Sequence, residues 1–380
     1  MPRSSSGHRS ILPLADGVAR IGGLVAVLVG LALCAIVQQE VVARVGPHRV
    51  VKAEVTGTRR PRPTPKASRT DPAPFAQVRT AVLRQRGPSA RAAFRVESLP
   101  QPDVHMTRID EAKGWAFGTA AIPPPPGVAA LPDPSLFIAR RSGQTWQVAS
   151  AGVEDFARFV RQAPTTVVPA DERPFLEQYG EASSAKEGVA TGMTLPWSAG
   201  QSWTMRSLGG VDALQFSGGD GRVLAPAPGR LYRLCARSAS QSMLLLIHAD
   251  GLASEYYQMA DVADVKEGTL IQEGGYLGHT GTARPCGGAA PASGPATVDF
   301  TLFSGASLMP LEGTRIGGWT LHTAGDQVWA DRSGLRVNAG NPLLNFGTDA
   351  PPSPSPRPPS ATPSLRSPSA SPSPRPTHSR

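Results

Sequence analysis

The feature that most constrains this chain is a series of short apolar runs, cut at close intervals by glycine, between residues 195 and 346. The runs are Ala213–Phe216, Arg222–Ala225, Gly229–Leu234, Met243–Ile247, Ala253–Gln258, Thr269–Ile271 and Ala296–Phe303. Each is too short for a helix of ordinary length and rich enough in branched and aromatic residues for a strand. Glycine-rich turns at intervals of about ten residues leave only hairpin connections, so this part reads as a mainly antiparallel β domain.

The rest of the chain divides around that domain. Residues 1–20 form a basic leader with Arg3, Arg9 and Arg20, and residues 21–39 carry no charge, with Ile21–Val37 wholly apolar or glycine. That pattern predicts an apolar transmembrane helix or a signal-peptide core, and in either case an exported remainder. An uncleaved anchor is the favoured reading, because Val41–Ala43 is a weak cleavage sequence and Leu33 is too large to precede a lipidated Cys34. Residues 40–73 are a basic, proline-rich linker containing Arg59-Arg-Pro-Arg-Pro-Thr-Pro-Lys66. Such a stretch favours extended, unpacked backbone. From residue 347 the chain turns to proline and serine with scattered arginine, which predicts a disordered tail.

Between linker and β domain, residues 74–164 read as a small α+β domain. Phe75, Val78, Val82 and Leu83 recur at helical spacing, and Gly87-Pro88 is expected to stop that helix. Strands are expected at Gly114–Ile122 and in a hairpin of Ser135–Arg140 with Thr145–Ala149, followed by an amphipathic helix at Asp155–Arg161. Trp115, Phe117, Phe137 and Trp146 are expected in its core rather than in a ligand cage. Residues 165–194 read as a polar connector with a short helix near Arg173–Tyr179.

Charge separates along the chain. The formal net charge is +9, with +7 in residues 1–72 and +4 in residues 351–380, which leaves residues 73–350 at −2. The basic ends suit acidic polymers or lipid head groups, and a nearly neutral body argues against nucleic acid as a partner. Of three cysteines, Cys235 and Cys286 both fall in the β domain, and an even pair in an exported chain predicts a disulfide. Closing a loop of about 50 residues would contribute roughly 4 kcal/mol.

Three segments carry a family resemblance. They are Gly251-Leu-Ala-Ser-Glu-Tyr-Tyr-Gln-Met259, Lys266–Gly281 with its Gly278-His-Thr-Gly281 turn, and Gly294-Pro-Ala-Thr-Val-Asp-Phe300. With Leu214-Gln-Phe-Ser217 and Gly317-Gly-Trp319 they resemble the lysostaphin/LasA-type (LytM-like) zinc endopeptidases of cell-wall peptides, over residues 195 to about 335. Working members hold one zinc on two histidines and an aspartate, with water in the fourth position. The resemblance places Gln215 where that aspartate stands, and Gln258, Thr297 and Asp299 where histidines stand. No histidine lies between Leu195 and Leu214, the setting of the first ligand.

Thr297 and Asp299, two apart on a strand, face the same way. The resemblance therefore implies a vestigial site in which Gln215, Gln258, Thr297 and Asp299 share a cleft, with Tyr256 and Tyr257 adding packing surface and His279 overhanging it. No metal, no cofactor and no catalytic residue is expected. The function implied is a non-catalytic, cell-membrane or wall-localised protein that binds wall peptide or regulates a wall hydrolase. Two alternatives stay open: an active zinc endopeptidase with a rearranged site built on Asp299 and His279, and a structural spacer.

Overall fold

A computed structural model describes residues 73–181, 187–209, 211–238, 240–288 and 294–347. All of them fall within one compact unit, Arg69–Arg380. The apolar segment 21–39, the proline-rich linker and the Pro/Ser tail lie outside the described residues. Among those described, no helix is long and apolar enough to cross a membrane.

The first part opens with α1 (Ala73–Phe94), followed by β1 (Asp103–Asp110), β2 (Trp115–Ile122), β3 (Asp133–Ser142) and β4 (Thr145–Ser150), which pair in that order as an antiparallel meander. Two short helices, α2 (Asp155–Gln162) and α3 (Arg173–Glu181), complete it. Every residue of β2 is buried, and the period-two alternation of a strand explains how. Ala116, Ala120 and Ile122 face α1, together with Phe137 and Ala139 of β3. Trp115, Phe117 and Ala121 face α2, α3 and the second sheet, together with Leu136 and Ile138.

The helix α1 does not stop at Gly87-Pro88 but runs through it to Phe94. Tertiary contacts outweigh a helix-interior proline, which costs about 3 kcal/mol. Ala90 and Phe94 continue the stripe begun by Val78 and Val82 into the same core. Gln85 also spans the helix–sheet junction, donating to the Val148 carbonyl at 2.8 Å and accepting from the Ser150 amide at 2.9 Å. Nor are residues 165–181 merely a tether: Val167, Val168, Leu176 and Tyr179 are buried. Trp146, expected in the core, is only partly buried against it.

The second part is a run of strands: β5 (Ser202–Ser207), β6 (Leu214–Gly218), β7 (Arg222–Leu224), β8 (Gly229–Ser238), β9 (Gln241–His248), β10 (Leu252–Tyr257), β11 (Met259–Ala260), β12 (Leu270–Ile271), β13 (Tyr276–Thr280), β14 (Val298–Ser304) and β15 (Ser307–Leu308). The hairpins of β16 (Arg315–Ile316), β17 (Trp319–Ala324), β18 (Gln327–Arg332) and β19 (Leu335–Asn338) follow, and β20 (Pro342–Leu344) closes the series. The large sheet runs β12-β8-β9-β10-β14-β6-β5-β20, antiparallel at each pairing, with β15 added beside β14. A three-stranded sheet, β11-β13-β7, and the meander β16–β19 accompany it. The described body is thus mostly antiparallel β with three helices.

Both faces of the large sheet are covered, which is why its central runs read as continuously apolar rather than alternating. Leu231, Leu244, Leu246, Tyr256, Phe300 and Leu302 face one core with Trp203 and Trp319. Tyr232, Leu234, Leu245, Ile247, Tyr257 and Phe303 face the other, against the helices and meander of the first part. Cys235 and Cys286 form a disulfide at the edge of this second core, with Cα atoms 5.3 Å apart.

A buried polar latch crosses the same boundary. Glu172 accepts from Arg108 of β1 at 2.9 Å and from the Tyr232 hydroxyl of β8 at 2.9 Å. The Glu267-Gly268 turn closes over it. Gly268 has φ +79, and a Cβ there would lie 2.1 Å from the Glu172 carboxylate, so only glycine fits.

Burial, only partly offset by Arg108, pushes the neighbouring Glu267 carboxyl up to about 7 from 4.5. A carboxyl raised in the fold holds its proton there more tightly than in the unfolded chain. Its contribution is therefore complete below about pH 4.5 and is lost as pH rises to about 7. Comparing the unfolding free energy of the full chain with that of Glu267→Gln across this window should show the parent losing about 3 kcal/mol relative to the variant. Parallel curves would show that Glu267 titrates normally.

Candidate functional site

The fold brings together three of the four residues singled out in the sequence, two glutamine amides meeting one carboxylate. Asp299 of β14 lies opposite Gln215 of β6 on one side and opposite Tyr257 of β10 on the other. Gln215 donates its Nε2 to Asp299 Oδ1 at 2.8 Å, and Gln258 donates its Nε2 to Asp299 Oδ2. Both carboxylate oxygens are thereby engaged by neutral amides. The fourth residue, Thr297, sits beside them: it exchanges backbone hydrogen bonds with Gly281 at 2.8 and 2.9 Å. Gly281 in turn packs on the backbone of Gln258 and Met259, where an added Cβ would lie 2.7 Å from the Gln258 carbonyl.

Local backbone sets this arrangement. Val298 and Phe300 alternate with Asp299 and turn into the opposite core with Leu214 and Phe216, so the polar pair Gln215–Asp299 falls on the face toward the first part. Gln258 follows the last residue of β10 with φ 63, a left-handed conformation that non-glycine residues seldom adopt. That kink directs its amide to Asp299. The cluster is closed: Asp299 and Gln258 are each 1% exposed and Thr297 4%, while Gln215 is half-buried.

Burial raises the Asp299 carboxyl above its ordinary value, and the two glutamine amides and the Arg284 charge oppose that rise without cancelling it. The neighbouring tyrosines, expected to add packing surface to the cleft, are both buried. Tyr256 is wholly buried on the far face, its hydroxyl paired with Ser254 at 2.9 Å. Tyr257 is wholly buried in the inter-sheet core and donates to the Gly287 carbonyl at 2.7 Å. Alternation along β10 sends the two rings to opposite faces, and both faces are covered.

The histidines of this part are engaged elsewhere. His279 Nδ1 pairs with the Tyr276 hydroxyl at 2.7 Å, and the rings meet edge to face. His248 hydrogen-bonds the Pro228 carbonyl through Nδ1 and Ser254 through Nε2, and burial lowers its affinity for a proton. His322 stacks on Trp329, with Glu312 at 3.1 Å.

Zinc does not fit the residues present. A tetrahedral site needs imidazole, thiolate or carboxylate donors, whereas the cluster offers two amides, one hydroxyl and a carboxylate already occupied at both oxygens. Among the described residues no group of three or more His, Cys, Asp or Glu is placed to hold a metal ion. The rearranged site on Asp299 and His279 finds no support, because His279 turns to Tyr276.

One neighbouring group went unnoticed in the sequence. Glu255, the sole charged residue of the β10 run, is 1% exposed and neither carboxyl oxygen has a hydrogen-bond partner. A lone acid inside a run of small and aromatic residues was the signal.

No family model matches the chain, and no curated protein matches it. Solved structures do. An M23 metalloprotease, pseudoalterin from the deep sea, is 25% identical, with 40% of this chain and 97% of that one aligned at a TM-score of 0.35. A putative M23 peptidase from Pseudomonas aeruginosa is 17% identical over 56% and 87% of the two chains, with a TM-score of 0.25. The catalytic domain of lysostaphin from Staphylococcus simulans is 20% identical over 34% and 95%, with a TM-score of 0.21. The chain is similar to M23 peptidases. At these scores the likeness says nothing of activity, and the chemistry rests on the side chains described above.

Removing the carboxylate should leave the buried Gln258 amide and the half-buried Gln215 amide without this acceptor. Asp299→Ala is expected to lower the unfolding free energy by about 2–4 kcal/mol, measured by urea denaturation. A loss below about 0.5 kcal/mol, the scale of an uninvolved surface site, would contradict the pairing.

Proposed function

We propose that this chain is a non-catalytic cell-envelope protein built on the fold of a wall endopeptidase, acting by binding wall peptide or a wall hydrolase rather than by cleaving a bond. The observation that carries the reading is the Asp299 carboxylate, bound at both oxygens by the amides of Gln215 and Gln258. Hydrolysis of a peptide by this class of fold requires water to be polarised by a metal and relieved of its proton by a base. Amide side chains do neither at neutral pH, and the carboxylate is committed to them.

Three further features support placement at the envelope. The leader carries basic residues before an uncharged apolar run, Cys235 and Cys286 are joined as expected of an exported chain, and the basic excess lies in the terminal segments. Basic ends of this kind favour anionic wall polymers or lipid head groups.

The test is incubation of the full chain with purified cell-wall polymer. The reading expects the protein to sediment with the polymer in a saturable manner, or to change the rate at which an active wall hydrolase digests it. In both arms the chain alone should release no soluble peptide. Release of new amino termini that stops on zinc chelation would establish the enzyme instead.

A further inference from the structure

A second feature lies farther along the same sheet face, formed by other side chains than the amide-bound carboxylate. Between α1, the Ala130–Pro134 segment and strands β10 and β14 is a cavity of about 320 Å³. Leu131 and Phe303 supply apolar wall, and Arg86, Asp133, Glu255 and Thr301 supply the polar part. The volume is at the lower end of those that hold small organic ligands.

Its polar groups are not all matched. Arg86 forms a bidentate pair with Asp133, Nε to Oδ2 at 3.1 Å and Nη2 to Oδ1 at 2.6 Å, and spends its remaining nitrogen on the Ala306 carbonyl at 3.0 Å. Arg86 and Asp133 thus neutralise each other. Glu255 is left over, with neither oxygen hydrogen-bonded, and Thr301, its cross-strand partner, has an unpartnered hydroxyl as well. Burial above all, with the neighbouring Asp133 and Asp299, raises its carboxyl well above the usual range. A buried carboxyl without a partner is costly and needs an explanation. A cation on an apolar stem would satisfy the unmatched acid and the apolar wall together.

We propose that this cavity is a binding site for a small primary amine, in which the ammonium group pairs with Glu255 and Thr301 and a short alkyl stem lies against Leu131 and Phe303. The site does not rest on the absence of catalysis, because none of these side chains belongs to the Asp299 cluster.

The probe is n-pentylamine, titrated calorimetrically into the full chain at neutral pH, with n-pentanol as the uncharged counterpart. Saturable binding of one pentylammonium per chain is expected, with a Kd on the order of 1 mM for so small a ligand. Pentanol should bind at least tenfold more weakly. Glu255→Gln, which keeps the shape and removes the charge, should weaken pentylammonium binding at least tenfold. Ser89→Trp, at an exposed helix position lining the cavity, should block it without touching the buried acid. No binding by the parent, equal binding of pentanol, or undiminished binding by Glu255→Gln or Ser89→Trp would each overturn the site. Release or non-release of wall peptide decides the other reading and leaves this one untouched.

Discussion

The inner face of the large sheet must satisfy its polar groups without water, and the arrangement of the molecule follows from that. The helices and meander of residues 73–181 lie over this face, and a charge buried there is unfavourable unless it is bonded. The solutions differ from place to place. Arg108 and Tyr232 share the Glu172 carboxylate at one edge of the contact. Arg86 and Asp133 pair at another. Asp299 takes two amides in the middle, and Glu255 takes nothing from the described residues.

That inventory separates structural from chemical use of the same positions. A site that works on a substrate keeps at least one group free to bind metal, hold water or move a proton. In the Asp299 cluster both carboxylate oxygens are taken by the Gln215 and Gln258 amides, and Asp299, Gln258 and Thr297 are buried. Its interactions resemble a core polar network, which adds rigidity when complete. Any ligand of this face therefore has to use other surfaces, and the Arg86–Asp133–Glu255 cavity keeps buried polar groups without partners at Glu255 and Thr301.

Some of this was legible before any coordinates. Glycine-cut apolar runs predicted the antiparallel sheet. Two cysteines in one domain behind an apolar leader foretold the disulfide. Other features were hidden because they depend on contacts distant in sequence. The Gln215–Asp299 bond joins residues 84 apart through the β6–β14 register. The kink at Gln258 comes from a left-handed backbone that a glutamine does not announce. Gly87-Pro88 looked like a stop because local propensity was weighed without Ala90 and Phe94, whose burial carries the helix onward. Tyr256 and Tyr257 were expected to pack beside one cleft because covering of both sheet faces cannot be read from one strand.

The central claim is that amides have replaced the donors a hydrolytic zinc needs. Elemental analysis of the full chain after equilibration with excess zinc and removal of unbound ion measures this directly. The account predicts far less than one zinc per chain, unchanged in Asp299→Asn. One zinc per chain, lost in that variant, would contradict it.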